Sequence, residues 1–210
     1  MRVKRKFGAF FGILAILFCF SSCYVPEKFT ASIFIKKNGE VTLKYSGTAL
    51  VYEYVVQALN DAQLKEVAKS YSEQTLQEGE KESYKYLGNG RFQIDIEKKG
   101  IIEKGDEFFV VDRDSKFISV EYNSFVGYGN KIYLDELKIT LNSVDSKNYE
   151  ALKEFGLKVN GKLSITSEVP LQNLKREELS KKGKYWVYTQ NYTSLPEETI
   201  VLFANMDNEE

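Results

Sequence analysis

The sequence predicts an α+β fold, a mainly antiparallel β-sheet with about two helices packed on one face. Several short segments place apolar residues at every second position and are separated by glycine-containing turns, which is typical of antiparallel strands. Only two segments show the helical period of 3.6 residues. The 14 Tyr and 14 Phe residues suit half-buried sheet surfaces. The predicted order is strands, helix, strands, helix, strands, as in α+β domains.

The first hairpin has the clearest local signal. Large apolar residues recur at every second position from Phe29 to Ile35 and again from Val41 to Tyr45. Asn38-Gly39 lies between these segments, and this pair is typical of tight turns because both positions accept a positive φ. Strand character resumes from Leu50 to Val56, so the second strand is predicted to continue past Gly47.

Two helices are predicted from amphipathic periodicity and capping residues. The first covers Asn60 to Gln77, with Asn60 or Asp61 as N-cap. Its apolar stripe has the spacing i, i+3, i+4, i+7 and consists of Leu64, Val67, Ala68 and Tyr71. The second helix covers Ser146 to Phe155 and ends at Gly156, a residue suited to a helix C-terminus.

The other strands follow from alternation and turn signals. They are predicted at Tyr84–Leu87, Phe92–Ile96, Phe108–Val111, Phe117–Tyr122, Lys131–Leu141, Leu157–Val169, Tyr185–Tyr192 and Thr199–Phe203. Gly88-Asn89-Gly90 is expected to turn the second hairpin, and Asp112 to Ser115 the third. At Asn160-Gly161 both a bulge and a hairpin remain open.

The first 23 residues have the layout of an export signal. Four cations among residues 2–6 precede an apolar run from Phe7 to Phe20, and Ser21-Ser22-Cys23 follows. This arrangement resembles the lipobox of bacterial lipoproteins, with Phe20 in place of the usual Leu. The resemblance implies cleavage between Ser22 and Cys23, a diacylglyceryl group on the Cys23 thiol, and acylation of the new amino terminus, with palmitate as the expected acid. Two or more such chains hold a protein stably on a membrane.

Two other interpretations of this segment stay open. An ordinary cleaved signal would leave Cys23 as a free thiol, and an uncleaved segment would act as a membrane anchor. The apolar run is shorter than the roughly 20 residues that a spanning helix needs. The predicted organisation is a lipoprotein signal peptide at residues 1–22, a tether at 23–28, a single α+β domain at 29–204 and a polar tail at 205–210.

The composition of the mature chain excludes several classes of function. Removal of residues 1–22 leaves 25 basic against 30 acidic residues, a net charge of −5, which argues against a nucleic-acid partner. Cys19 leaves with the signal and Cys23 carries the lipid, so no disulfide framework is possible. The chain contains no histidine. That absence excludes Ser-His-Asp and Cys-His catalysis and histidine-ligated metal sites.

The remaining candidates for chemistry each have a simpler structural interpretation. Asp112 and Asp114, near Glu103, Asp106 and Glu107, offer oxygens to calcium, but aspartate is also favoured in turns through local hydrogen bonds. We therefore expect no metal site and no cofactor.

Three further motifs are no more specific. Ser115-Lys116 and Ser180-Lys181 lack the Ser-x-x-Lys spacing of serine-lysine catalysis, and Gly127-Tyr128-Gly129 is too short to indicate a phosphate site. The residues Trp186, Tyr188 and Tyr192 present either a sugar- or lipid-facing stripe or, as we expect, one core face of a strand.

Two segments of the body carry a family resemblance. Tyr86 to Phe92 reads Tyr-Leu-Gly-x-Gly-Arg-Phe, and Leu152 to Leu163 reads Leu-x-x-Phe-Gly-Leu-x-Val-x-Gly-x-Leu. With the opening Asn-Gly hairpin, they resemble uncharacterised LppM-like envelope lipoproteins. The resemblance covers most of residues 29–203 and implies an α+β fold and an envelope location, without a catalytic residue.

The expected function is that of a membrane-anchored, non-catalytic binding or interaction module of the bacterial cell envelope. Its expected partners are the lipid bilayer, through acylated Cys23, and an apolar ligand, a lipid or an envelope protein. Tyr24 follows the cysteine where aspartate commonly marks inner-membrane retention, which favours the outer membrane if the cell has one. A structural or surface-exposed lipoprotein and a carboxylate-based hydrolase are the alternatives.

Overall fold

A computed structural model of the chain describes residues 24–73, 76, 79–103, 107–110, 117–126, 133–141, 146–173, 179–194 and 200–205. The elements are, in order, β1 (Tyr24–Ile35), β2 (Glu40–Val51), α1 (Tyr52–Val55), α2 (Asp61–Ser72), β3 (Glu80–Gly88), β4 (Arg91–Ile101), β5 (Glu107–Val110), β6 (Ile118–Val126), β7 (Tyr133–Leu141), α3 (Ser146–Glu154), β8 (Asn160–Ser167), β9 (Leu171–Asn173), β10 (Ser180–Lys182), β11 (Tyr185–Tyr192) and β12 (Ile200–Asn205). The predicted α+β class is confirmed. Within this part of the chain, no helix has the length and apolarity to cross a membrane.

The strands form two sheets. The larger has seven strands in the order β10-β11-β8-β1-β2-β4-β3, and the smaller has five in the order β5-β6-β7-β12-β9. Most neighbouring strands are antiparallel, as predicted, but β8 runs parallel to β1. This pairing joins the first strand to a segment more than a hundred residues away, which local sequence patterns do not reveal.

One apolar core lies between the two sheets. Because successive side chains of a strand point to opposite faces, the alternating apolar residues of the seven-stranded sheet all reach this side. The sheet contributes Phe29, Ile33, Leu43, Tyr45, Ile94 and Ile165 among others, and the smaller sheet contributes Ile118, Val120, Leu137, Ile139 and Leu202. We call this side of the seven-stranded sheet the core face and the opposite side the open face.

Phe29 connects the strands of the core face with the smaller sheet. Its direct neighbours on β2 and β8 are both glycines, Gly47 and Gly161. A Cβ atom at Gly161 would lie 2.1 Å from Cε1 of Phe29, so the phenyl ring occupies the space above this glycine. The ring stacks on Tyr45 with centroids 5.8 Å apart and meets Phe117 edge to face at 5.2 Å. Phe29 can therefore lie flat across β8 only because that strand carries no side chain there.

The two longer helices cover opposite faces of the seven-stranded sheet, whereas the sequence predicted both on one face. Helix α2 packs Leu64 on the core face, and its Tyr71 stacks on Tyr84 at 4.3 Å. Helix α3 instead packs Leu152 against Val25 and Leu50, on the open face at the Tyr24 end of the sheet. The reason is that Val25 and Leu50 are apolar residues at positions that point away from the main core.

The helix termini agree with their sequence signals. The Asn60 side chain caps α2 by accepting hydrogen bonds from the backbone amides of Ala62 and Gln63. The Asn60 amide in turn donates a hydrogen bond to the Gln63 side chain, which completes a capping box. The helix ends at Ser72, five residues before the predicted end. Gly156 follows α3 with a φ of +93°, the left-handed conformation expected after a helix C-terminus.

Several local predictions differ from the structure. Tyr24 to Lys28, predicted as tether, belong to β1, because Tyr24 and Val25 are apolar and fill two different cores. Strand β2 ends at Val51 and gives way to α1, where the sequence suggested a strand as far as Val56. Asn160-Gly161 forms neither a bulge nor a hairpin but opens β8.

The turns are also partly as predicted. In the first hairpin only Gly39 has a positive φ (+83°), and its amide donates to the Lys36 carbonyl, so the turn does not need a left-handed Asn38. In the second hairpin all three turn residues, Gly88, Asn89 and Gly90, have positive φ. This explains why two glycines flank the asparagine there.

Gly161→Ala tests the packing of Phe29. The backbone at Gly161 needs no positive φ, so the added methyl group acts only by colliding with the ring. Overpacking of this kind costs about 1–3 kcal/mol, and we expect a loss of this size in the free energy of unfolding, measured by urea denaturation. In a Phe29→Leu background the same substitution should cost at least about 1 kcal/mol less, because the ring is gone. Ser164→Ala, on the open face of the same strand, is the control and should change stability by less than about 0.5 kcal/mol. Equal costs in both backgrounds would contradict the explanation.

Candidate functional site

The open face is the part of the fold that presents chemistry to solvent. Beyond the end covered by α3, most of its positions carry hydroxyl, amide or charged side chains, and the apolar and aromatic exceptions near the far end include Phe34, Tyr185 and Val187. The hydroxyl residues are Thr30, Ser32, Thr42, Ser46, Thr48, Ser83, Ser164, Thr166 and Thr189, the lysines are Lys28, Lys44, Lys81, Lys85, Lys99 and Lys162, and the acids are Glu40, Asp95 and Glu97. Among the described residues, no second sheet lies on these positions, and Lys28, Thr30, Ser32, Lys44 and Ser46 are exposed.

Three neighbouring strands in the middle of this face carry the same pattern. Each reads Lys-x-Ser/Thr-x-Ser/Thr, from Lys162 in β8, from Lys28 in β1 and from Lys44 in β2. The intervening residues are those of the core face, so the pattern places one ammonium group and two hydroxyls per strand on the open face. Because β8 and β1 are parallel, Lys162 and Lys28 lie towards the same end, and Lys44 lies towards the other.

Two shallow grooves cross the open face and meet at Thr30 and Ser46. We call the first the lysine groove. It has a volume of about 540 Å³ and is lined by Lys28, Phe29, Thr30, Ser46, Asn160, Gly161, Lys162, Asn191, Tyr192 and Thr193. The second, of about 500 Å³, extends over β2, β4 and β3. Polar and charged residues predominate in the lining of both grooves.

The charges of the two grooves differ. In the second groove Lys44 Nζ lies 3.0 Å from Glu97, and this hydrogen bond holds the pKa of the Glu97 carboxyl below its usual value. Asp95 accepts a hydrogen bond from the Ser46 hydroxyl. The lysine groove has no acidic residue in its lining. Lys28 and Lys162 form no ion pair with any residue that the structure describes.

Arg91, also on the open face, is held by a carboxylate. Its Nε and Nη2 both donate to Glu27 at 3.0 Å, and Glu27 is 7% exposed. Two parallel bonds of this kind fix the geometry of both side chains. Arg91 therefore serves the structure next to α3 and adds little free positive charge to the face.

A second buried ion cluster lies on the core face, at the edge of the sheet. Lys98 is 4% exposed, and its Nζ is 2.9 Å from Glu82 and 3.6 Å from Glu80. The two glutamates form a carboxylate pair of the kind that a hydrolase uses. However, the Lys98 ammonium group forms ion pairs with both carboxylates in a largely buried position, and this arrangement indicates a structural role.

Three tyrosine hydroxyls have altered acidity because of their surroundings. Burial raises the pKa of Tyr45 and of Tyr192, and nearby Asp95 and Tyr188, respectively, add to the shift. Burial together with a hydrogen bond to Asp61 raises the pKa of Tyr86 to about 12. All three phenols therefore stay neutral near pH 7 and are unsuited to act as bases. Hydrogen bonds from lysine side chains lower the pKa of Glu40 and of Glu97, and a hydrogen bond from the Lys37 backbone amide lowers that of Glu168.

Most of the sequence candidates for chemistry lie in parts of the chain that the structure does not describe. Ser22, Cys23, Asp106, Asp112, Asp114, Ser115, Lys116 and Gly127 to Gly129 lie outside the described residues. Ser180 and Lys181 are exposed in β10, where the Ser180 hydroxyl donates to the Val187 carbonyl. In the described part of the chain, no three acidic, histidine or cysteine side chains come together as metal ligands.

The aromatic stripe of β11 has the expected structural role. Tyr188 and Tyr192 are 3% and 4% exposed, and Trp186 packs against the same core. All three alternate on the core face, because β11 pairs with β8 in a register that places Thr189 and Asn191 on the open face. The interpretation as core packing is confirmed.

The lysine groove was not identified from the sequence. Its two lysines come from strands far apart in the chain, and only the parallel pairing of β1 with β8 makes them neighbours. The recurrence of Lys-x-Ser/Thr-x-Ser/Thr at residues 28, 44 and 162 was the available signal. It becomes informative once the three strands are known to be adjacent.

Comparisons with known proteins yield one weak structural neighbour. A scan against protein-family models finds no match, and a search of curated proteins finds none either. Among solved structures, the NMR structure of the folded domain of the Mycobacterium tuberculosis LppM protein is similar, with 9% sequence identity and a TM-score of 0.37. The match covers 89% of this chain and 93% of that one. A likeness of this degree carries no argument about the function of either groove.

Lys98→Met tests the structural role of the buried ion cluster. The substitution keeps the length of the side chain but leaves two partly buried carboxylates facing each other, so we expect a loss of about 3 kcal/mol in the free energy of unfolding, from urea denaturation. Combining it with Glu80→Gln and Glu82→Gln removes the repulsion and should recover at least about half of the loss. If Lys98→Met leaves the stability unchanged, the cluster does not contribute to the fold in this way.

Proposed function

We propose that this chain is a bacterial envelope lipoprotein, anchored through acylated Cys23, which acts as a non-catalytic binding module. Its proposed ligand carries carboxylate or phosphate groups together with hydroxyls and binds on the open face. The proposal combines the lipobox-like residues Phe20 to Cys23 with the chemistry of the exposed sheet surface.

The observation that carries the proposal is the presence of two lysines in one groove, neither of which forms an ion pair with a described residue. Lys28 and Lys162 project from adjacent parallel strands, and no acidic side chain of the described residues lines the groove. Lys28 pairs with Asn160 and Lys162 pairs with Thr30, so the two lysines are offset by two residues and their Cα atoms lie about 8 Å apart. Two like charges at this spacing repel each other in the free protein, and an anion between them relieves the repulsion. The mature chain is acidic overall, so a basic groove is a local departure from its average charge.

The surroundings of the two lysines favour a hydroxylated ligand over an apolar one. Thr30, Ser46 and Thr193 offer hydroxyls, and Asn160 and Asn191 offer amide groups that both donate and accept hydrogen bonds. An apolar ligand would remove these groups from water without replacing their hydrogen bonds, which is unfavourable. This revises the expected apolar ligand towards a polar anionic one, such as an acidic glycan or a phosphorylated head group.

The intact mass of the full-length protein, extracted from membranes of its bacterial host, tests the anchor. We expect a chain that starts at residue 23 and carries the mass of acyl chains. The Cys23→Ala variant lacks the acceptor thiol, so it should carry no acyl mass and appear in the soluble fraction or remain uncleaved. A wild-type chain of unmodified full length would show that residues 7–20 stay attached as an anchor and would contradict the lipidation.

Ligand binding in the lysine groove is testable by thermal unfolding of the detergent-extracted protein. Glucuronate and glycerol phosphate serve as anionic probes, and glucose at the same ionic strength is the neutral reference. A ligand at about ten times its Kd stabilises the folded state by about 1.4 kcal/mol, which raises the Tm by about 3 °C in a chain of this size. We expect this shift with at least one anion and not with glucose.

The matched variants locate the site. Lys28→Gln combined with Lys162→Gln should abolish the shift. Lys65→Gln combined with Lys69→Gln removes the same charge from the exposed side of α2 and should preserve it. A shift that survives the first double variant, or that both variants lose equally, would assign the anion effect to the net charge of the chain and would reject the groove.

A further inference from the structure

The end of the sheet that carries Tyr24 is the part of the fold closest to the proposed lipid. Tyr24 is the residue after Cys23, and it is 3% exposed and paired with Val51 in β1 and β2. Consecutive Cα atoms are about 3.8 Å apart, so no spacer separates an acyl group on Cys23 from the folded domain. A tether of several residues would have left the orientation of the domain free, whereas one peptide bond restricts it strongly.

The neighbours of Tyr24 at this end are defined by the strand pairing. The Val51 amide donates to the Gly90 carbonyl at 2.9 Å, which places the turn of the β3–β4 hairpin beside the end of β2. Two strand spacings, about 10 Å, therefore separate Tyr24 from this turn. Helix α1 follows Val51 directly, and the end of α3 lies against it.

Exposed apolar side chains concentrate at this end. Among the described residues, five large hydrophobic side chains are well exposed, and three of them are Val56 (47%), Leu87 (51%) and Phe155 (38%). Val56 follows α1, Leu87 precedes the hairpin turn, and Phe155 follows α3. We call these three residues the apolar rim. The other two are Leu76 and Ile101, and Ile101 pairs with Glu40 at the opposite end of the sheet.

The rim is held in place by packing beneath it. The Tyr54 ring meets Phe155 edge to face at 5.8 Å, and a Cβ at Gly90 would lie 2.6 Å from the same tyrosine ring. Arg91, fixed by Glu27, lies 5.9 Å from the Phe155 ring. Tyr54 thus joins α1, the hairpin turn and the residue after α3, so the rim does not need to rearrange in order to act as one surface.

The geometry points to the apolar rim as a membrane-docking surface, which inserts into the bilayer that holds the acylated Cys23. This inference rests on the proposed lipid anchor and adds the orientation of the domain. Side chains of interfacial segments reach about 5–10 Å into the boundary between head groups and acyl chains, and tyrosine is favoured at this depth. Burial of the rim in the bilayer removes exposed apolar surface from water, and the anchor already holds this end of the domain at the bilayer.

The rim docks through apolar contact and not through charge. Glu53 in α1 and Glu154 at the end of α3 are the charged residues of these two helices closest in sequence to Val56 and Phe155, and carboxylates gain nothing from an anionic membrane. The docking should therefore be insensitive to salt. In the docked orientation the strands rise from the membrane, and the lysine groove faces sideways, where envelope ligands reach it.

Tryptophan quenching by brominated lipids tests this orientation in the full chain, purified with its anchor and reconstituted in phosphatidylcholine vesicles. Trp186 is the single tryptophan, and β11 and β8 place it beside Ser167 and Ile35. Ile35 lies eleven positions along β1 from Tyr24, about 35 Å away, so Trp186 should not be quenched. Leu87→Trp and Phe155→Trp, each combined with Trp186→Phe, should lose about half of their emission or more.

Ile101→Trp with Trp186→Phe is the matched control, because Ile101 is exposed and apolar but lies at the far end. Its emission should be unchanged, and the quenching at positions 87 and 155 should persist between about 0.05 and 0.5 M salt. Acylated protein in which positions 87 and 155 are quenched no more than position 101 would overturn the docking while the anchor stands. An unacylated mass would instead overturn the anchor and the docking with it.

Discussion

The packing of Phe29 between two glycines is the constraint on which the rest of this structure depends. Gly47 and Gly161 flank it on β2 and β8, and its ring lies in the space that a side chain at Gly161 would fill. The ring also contacts Phe117, next to the first strands of the smaller sheet. One side chain thus joins the hairpin β1–β2 to the parallel strand β8 and both to the second sheet. Pairing β8 in another register would bring a larger residue under the ring, which the close packing of protein interiors does not permit.

The same arrangement separates a sealed face from an open one. Since strand residues alternate, a register that places Phe29, Tyr45 and Leu163 in the core also places Lys28, Lys44 and Lys162 on the other side. At the Tyr24 end the open face carries apolar residues instead, Val25 and Leu50, and α3 covers them. The open face is therefore polar in its middle and covered near the start of the domain, which places binding and membrane contact in different regions of one sheet.

Local sequence patterns predicted most of the individual elements. The start of α2 follows from its N-cap Asn60, and α3 follows from its apolar spacing and from Gly156 after its end. Such signals act within one or two turns of a helix. The prediction of a tether before residue 29 was wrong because local signals do not reach this far. Tyr24 and Val25 precede any alternating pattern, and only their burial by distant aromatic rings and by α3 makes them part of a strand. The sequence analysis missed the short helix α1, because three of its four residues, Tyr52, Tyr54 and Val55, are aromatic or β-branched and also suit a strand.

By itself, the sequence determined the class of fold, the places of the first two hairpins and of the two longer helices, and the export-like start that ends in Cys23, since each depends on residues adjacent in the chain. The tertiary structure alone decided which strands are neighbours, because the free energy of that choice comes from contacts between segments far apart, such as Phe29 with Gly161. The lysine groove and the apolar rim both result from this choice. The parallel pairing of β1 with β8 places Lys28 and Lys162 on neighbouring strands, and Val56, Leu87 and Phe155 come from three separate segments that approach each other only when the sheet is complete.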